Sequence, residues 1–208
     1  MLQERLGRPL SGLGLPVESQ IDVITATLGL AWRRPPETTD KSLLRTGAEQ
    51  AEFLGKFIRA TWLELGRPCP DPVVERAERY ARSRRDAFDA STALVIHGDA
   101  HPANILEHTS DGGSTGAFKL IDPDGMLSEP AHDLAIPLRD WTNELLAADP
   151  VEVGLRWCAR LSDRTGVSSS AIWEWAFIER VSTGLFLIRL GDTLGERLLE
   201  VAGRWGAS

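Results

Sequence analysis

Apolar residues recur at helical spacing along most of this chain, and the pattern changes character once, in the middle. Ile21, Ile24, Leu28 and Ala31 share one face of a helix predicted from Glu18 to Trp32. Arg33-Arg34-Pro35-Pro36 ends it, because proline blocks the next helical hydrogen bond. A longer helix is predicted over Lys41 to Leu65, with Ala51, Leu54, Phe57, Ile58, Thr61 and Trp62 on one face and Gly66 and Pro68 as its stop. Asp71-Pro72 has the form of an N-cap followed by proline at the first helical position. The helix it opens runs to about Phe88, with a charged outer face. Beyond Glu129 four further helices are predicted, over 131–147, 151–165, 168–190 and 192–205.

The middle reads differently. Ala93-Leu94-Val95-Ile96 is a short apolar strand, Asn104 to Glu107 a second, and Phe118 to Ile121 a third. The last two flank Ser110-Asp111-Gly112-Gly113-Ser114-Thr115-Gly116, a turn sequence, so a β-hairpin with a loop before it and a loop after it is expected. Residues 1–16 are extended and punctuated by Gly7, Pro9, Gly12, Gly14 and Pro16. The predicted fold class is α+β and mostly α, with a small hairpin. No internal repeat is present.

Composition narrows the partners more than the fold. The chain has 208 residues, 42% apolar and 25% charged, which is ordinary for a globular protein. Its 23 basic and 30 acidic residues give a net charge of −7. That argues against nucleic acid, whose phosphates demand a basic face. Cys69 and Cys158 have neither a disulfide framework nor metal-ligand spacing, which suits a reducing, cytoplasmic compartment. No apolar run reaches the length of a membrane span, and the N-terminus lacks the apolar core of a secretory signal. Oligomeric state has no signature in the sequence.

The candidate chemistry lies in the loops of the middle segment. His97-Gly98-Asp99-Ala100-His101-Pro102-Ala103-Asn104 precedes the second strand, and Ile121-Asp122-Pro123-Asp124-Gly125 follows the third. Pairing of those two strands brings Asn104 and Asp122 to one end of the hairpin. There a carboxamide oxygen and a carboxylate can share Mg²⁺, which prefers oxygen ligands. Asp99, just past the first strand, is then placed to take the proton of an attacking hydroxyl. This is the donor set that phosphoryl transfer needs. A competing reading takes the alternating His97, Asp99 and His101 as a metal cluster. It leaves Asn104 and Asp122 without a role.

The segment His97-x-Asp99-x-x-x-x-Asn104 resembles the catalytic loop of protein-kinase-like phosphotransferases, in the His-Gly-Asp form typical of small-molecule kinases. Ile121 to Gly125 is similar to their metal-binding Asp segment. Glu129-Pro130-Ala131-His132-Asp133-Leu134-Ala135 is similar to the segment with a buried Asp that follows it in aminoglycoside phosphotransferases. Glu4 to Leu10, Gly66 to Cys69 and Ile172 to Leu185 resemble the streptomycin 6-kinase branch, also described as aminoglycoside/hydroxyurea antibiotic resistance kinases.

The resemblance implies a kinase-like C-terminal lobe over 17–208 after a hinge-like segment, 1–16. It implies ATP and Mg²⁺ as cofactors and an aminoglycoside hydroxyl as acceptor; the alternatives are a kinase of another small hydroxylated metabolite and a non-catalytic remnant of a kinase lobe. It makes Asp99 the catalytic base and Asn104 and Asp122 the metal ligands. His97 and Asp133 become loop supports, and Leu2, Gln3 and Glu4 lie near the adenine. The family's N-terminal nucleotide lobe, with its phosphate-covering loop and phosphate-binding lysine, is expected to be absent. None of Lys41, Lys56 and Lys119 follows a glycine-rich strand. For a guanidinium-bearing sugar, Asp140, Glu144, Glu174 and Glu179 are the candidate acids. His132 reads as a surface or packing residue.

Overall fold

A computed structural model describes residues 5–38, 40, 43–110 and 113–206. Nine α-helices and four short strands are found among them, with 3₁₀ turns at Leu10–Gly12 and Pro102–Asn104. The first helix, α1 (Val17–Ala31), follows Pro16, whose ring presets the entering backbone. Helix α2 spans Gly47–Glu64, shorter than the periodicity predicts, because a capping box fixes its start. The Thr46 hydroxyl accepts from the Glu49 amide at 3.2 Å, and the Glu49 carboxylate accepts from the Thr46 amide at 2.8 Å. Helix α3 spans Asp71–Asp86 with Pro70 at its cap, so Asp71 lies inside the first turn rather than capping it.

The strands are β1 (Leu94–Ile96), β2 (Ile105–Ser110), β3 (Gly113–Leu120) and β4 (Met126–Ser128). They form two antiparallel pairs, β1 with β4 and β2 with β3, in the register Val95↔Leu127 and Ile105↔Leu120. Strand β4 has no counterpart in the predicted elements. At three residues it is too short for an alternation to register, and it exists because β1 needs a partner. The segment before α1 continues the hairpin. Gly7 N–H donates to the Glu107 carbonyl at 2.8 Å, Glu107 N–H donates to the Arg8 carbonyl at 3.0 Å, and Leu10 is fully buried.

The predicted helix over 131–147 is three short ones: α4 (Pro130–Ala135), α5 (Pro137–Asp140) and α6 (Thr142–Leu146). Pro137 lacks the N–H a continuous helix requires, and the break re-aims the next turn. The chain then runs through α7 (Pro150–Thr165), α8 (Ser169–Arg189) and α9 (Leu194–Gly206).

Helix α8 is the axis of the molecule. Ile172, Trp175, Ala176, Phe177, Arg180, Val181 and Leu185 are at most 1% exposed and lie all round the helix, the pattern of a helix enclosed by others. It packs against α2, α3, α4, α7 and α9. Close approach to α9 depends on two glycines: a Cβ on Gly195 would stand 2.5 Å from the Gly184 carbonyl. Three buried tryptophans satisfy their N–H groups, Trp62 on the Cys69 carbonyl, Trp175 on the Glu129 carboxylate and Trp205 on the Pro150 carbonyl, at 2.7–2.8 Å. No helix among the described residues is long and apolar enough to cross a membrane.

Candidate active site

The site forms where β1 and β3 end. Leaving β1, the chain passes His97 and then Gly98, whose φ of +85° is a conformation that disfavours side chains. A Cβ there would also meet the Asp124 Cβ at 3.0 Å and the Met126 sulfur at 3.1 Å. His97 ties this loop to the one after β3. Its Nε2 bonds to the Ile121 carbonyl at 2.9 Å, and its own carbonyl accepts from Gly125 N–H at 3.0 Å. Its Nδ1 accepts from the Asp99 amide at 3.3 Å, which assigns the ring proton to Nε2.

Asp133, fully buried on α4, accepts three hydrogen bonds. Gly98 N–H reaches Oδ1 at 2.8 Å, while His97 N–H and the Trp32 indole N–H both reach Oδ2 at 2.9 Å. One carboxylate thus satisfies two loop amides that β1 cannot pair and fastens α1 to the same point.

Asp99, Asn104 and Asp122 are brought to this edge. Asn104 Nδ2 donates to the Asp99 carbonyl at 3.0 Å and lies 3.4 Å from its carboxylate, so the amide oxygen is its acceptor end. Ile121 N–H donates to the Asn104 carbonyl at 3.0 Å, extending the β2–β3 ladder by one rung. Asp122 therefore follows directly beyond Asn104. It is exposed and left-handed, φ +56°, a backbone that Asp tolerates better than most residues. A carboxamide oxygen and a carboxylate at one hairpin end are hard oxygen donors. With water and phosphate oxygens completing the shell, that set suits Mg²⁺.

No group of three or more His, Cys, Asp or Glu among the described residues is arranged to hold a metal. The His97–Asp99–His101 cluster is therefore not formed; the His97 ring is spent on the loop. His101 instead lies between two acids, 3.5 Å from Asp99 and 3.7 Å from Asp140.

The four acids proposed for a cationic acceptor divide. Asp140 stays at the site beside His101. Partial withdrawal from water raises its carboxyl above the ordinary carboxylate value, against the pull of Arg139 and His101. Glu179 is 6% exposed and faces inward, its Oε1 on His132 Nε2 at 2.9 Å and its Oε2 on Arg139 at 3.2 Å. Burial opposes its charge, but His132 and Arg139 outweigh that and hold it below the ordinary value. Glu174 points elsewhere, into an ion pair with Arg84 of α3 at 2.6 Å. Glu144 is exposed on α6, in its first turn. Of the two roles expected for His132, surface or packing, the structure shows packing. The residue is fully buried, its ring stacked on Trp175 with centroids 4.1 Å apart. Leu2, Gln3 and Glu4 lie outside the described residues.

One member of the site has no motif of its own. Arg139 donates from Nη2 to Asp99 Oδ1 at 2.7 Å and from Nη1 to Glu179. Burial works against its charge, and Glu179, Asp140 and Asp99 together override it, so the guanidinium stays above its ordinary value. Its only sequence signal is a lone cation in the apolar run Ile136-Pro137-Leu138-Arg139-Asp140-Trp141. Behind it, fully buried Arg180 bonds Thr142 Oγ1 at 2.7 Å and the Leu138 carbonyl, pinning the α5–α6 turn to α8. Burial pushes the Arg180 guanidinium down to about 9, with Asp140 resisting.

A mostly helical body with a catalytic-loop edge of this form is a protein-kinase-like fold, and solved structures bear that out. The choline kinase of Cryptosporidium parvum matches 97% of this chain and 68% of its own, at 11% identity and a TM-score of 0.57. The aminoglycoside phosphotransferase APH(3'')-Id of Streptomyces rimosus, solved with ADP and streptomycin, matches 85% of this chain and 67% of its own, at 18% identity and 0.50. The spectinomycin phosphotransferase APH(9)-Ia, solved with ADP and spectinomycin, matches 96% and 64%, at 11% identity and 0.51. The chain thus spans about two thirds of the length of each. No curated protein sequence matches it. Residues 12–167 match the model of the phosphotransferase enzyme family, APH, and the chain belongs to that family.

Proposed function

We propose that this protein is a kinase that transfers the γ-phosphoryl group of ATP to a hydroxyl of a small cationic acceptor. The acceptor we favour is an aminoglycoside of the streptomycin kind, so that modification of the drug confers resistance. The observation that carries the reading is Asp99 hydrogen-bonded to Asn104 on one loop, with Asp122 next in the chain after the Ile121–Asn104 backbone rung, and Asp99 partly open to solvent and held by Arg139. In this reading Asp99 accepts a hydrogen bond from the acceptor hydroxyl, orients its oxygen and takes its proton as the new P–O bond forms. Asn104 and Asp122 would hold Mg²⁺, which supplies charge neutralisation on the phosphates. His97 and Asp133 keep the two loops in register, and residues 1–16 serve as the hinge-like approach to the nucleotide. Asp140 and His101 border the approach to Asp99, where an acceptor cation would meet the Asp140 carboxylate.

A second reading keeps the reaction and changes the acceptor. Glu174 pairs with Arg84 and Glu179 bonds Arg139 and His132, which leaves Asp140, 3.7 Å from His101 and 3.9 Å from Arg139, as the candidate acid beside Asp99. That suits an acceptor with a single cationic group better than a polycationic sugar. ATP consumption measured against streptomycin, spectinomycin and choline separates the two. Turnover with streptomycin alone supports the first reading, and turnover with choline alone the second. Absence of turnover and of Mg²⁺-dependent nucleotide binding would overturn both.

A further inference from the structure

Glu179 is buried as deeply as a core leucine yet carries a charge, and both its oxygens are used. Oε1 is held by His132, whose ring is stacked on Trp175; Trp175 is anchored in turn on Glu129. Oε2 is held by Arg139. The guanidinium is a rigid planar fork, so fixing Nη1 on Glu179 also fixes the direction of Nη2, the nitrogen that meets Asp99 at 2.7 Å. Arg139 has a rival partner: its Nε lies 3.9 Å from Asp140. Without Glu179 the fork is free to turn toward Asp140 and let go of Asp99. Stability alone does not call for this arrangement, since buried ion pairs are commonly replaced by apolar residues without loss.

We propose that Glu179 is a positioning residue, which with His132 sets the Arg139 guanidinium and through it the direction of the Asp99 carboxylate. The proposal rests on the reading of Asp99 as the base. It gives Glu179 a role other than acceptor binding, although Glu179 also borders a groove of about 360 Å³ between α2 and α8, lined by Phe53, Phe57 and Phe186.

The test compares the unaltered chain with Glu179→Gln and Glu179→Asp. Positioning predicts that Glu179→Gln lowers kcat about 10–100-fold, with both KM values within about twofold, and that Glu179→Asp recovers part of the loss. It also predicts slowly exchanging, restrained Arg139 guanidinium ¹⁵N–¹H resonances in the unaltered chain, averaged in Glu179→Gln. A raised acceptor KM at unchanged kcat would make Glu179 an acceptor ligand instead. Unchanged kinetics with a lower melting temperature would reduce it to packing. A freely rotating Arg139 in the unaltered chain would overturn the proposal outright. If the unaltered chain turns over no acceptor, the phosphotransfer reading fails, and the guanidinium resonances still judge the brace by themselves.

Discussion

The loop edge at 97–125 and the helical face behind it hold polar groups in opposite ways. At the edge, backbone groups are the common partner: Gly125 N–H meets the His97 carbonyl and Ile121 N–H the Asn104 carbonyl, while the His97 ring and the Asp133 carboxylate take up the remaining loop groups, and Asp122 and Asp124 are exposed. On the helical face, side chains hold side chains. Glu179 is tied to His132 and Arg139, and Arg180 to the Thr142 hydroxyl and the Leu138 carbonyl, across gaps of about forty residues. The edge can therefore leave the Asp122 carboxylate in solvent, because its backbone rungs do not depend on that group. The helical face has no such freedom, since each buried charge there needs its counterpart. Changes at the edge should cost chemistry first, and changes behind it should cost order or stability.

The sharpest break is Asp99→Asn. Transfer should fall about 10²–10⁴-fold, the range for loss of a general base, with the fold retained and the melting temperature lowered only by the loss of the Asp99–Arg139 pair. A variant that turns over like the unaltered chain would remove Asp99 from that role. Asp133→Ala crosses the comparison, because an acid of the helical face supports the edge. Three donors would be stranded, at about 1–3 kcal/mol for each that stays buried. A loss of about 3 kcal/mol or more is expected, lowering the melting temperature by roughly 6–12 °C for a chain of this size. Calorimetry that finds no change would end that assignment.

Acid should weaken the helical face. Glu179 is held below its ordinary value near 4.5, so its folded state binds its proton less readily than the unfolded chain does. Its stabilisation is complete above that ordinary value and is lost as pH falls through the lower folded one. Urea unfolding from pH 7 downward should show the stability gap between the unaltered chain and Glu179→Gln closing below about pH 4.5. A gap that stays constant would deny the shift. The smallest effect is assigned to Glu174→Gln. Arg84 keeps Glu129 at 3.3 Å, so about 1 kcal/mol is expected, with kcat and both KM values unchanged. A kinetic defect there would return Glu174 to the acceptor site.

The helices were legible wherever an apolar stripe ran without interruption. α1, α7 and α8 lie within two residues of their predicted bounds, because burial of one face or of the whole helix is written into the spacing. Misplaced boundaries have local causes: the Thr46–Glu49 box at the start of α2, Pro70 at the cap of α3, and Pro137 inside the predicted 131–147 helix. β4 left no readable pattern in three residues.

What the chain alone determined is the loop edge. His97, Asp99, Asn104 and Asp122 stand on short loops next to strands, so their mutual placement follows from a few backbone hydrogen bonds at small sequence separation. What only the tertiary structure decided is the direction of the acids on α8. Glu174 and Glu179, five residues and so about 140° apart around one helix, face different neighbours, and packing supplies Arg84 of α3 to the first and Arg139 of α5 to the second. Periodicity states which positions lie on a common face. Whether a buried carboxylate finds a guanidinium there depends on which helix packs against that face, and long-range packing sets that choice.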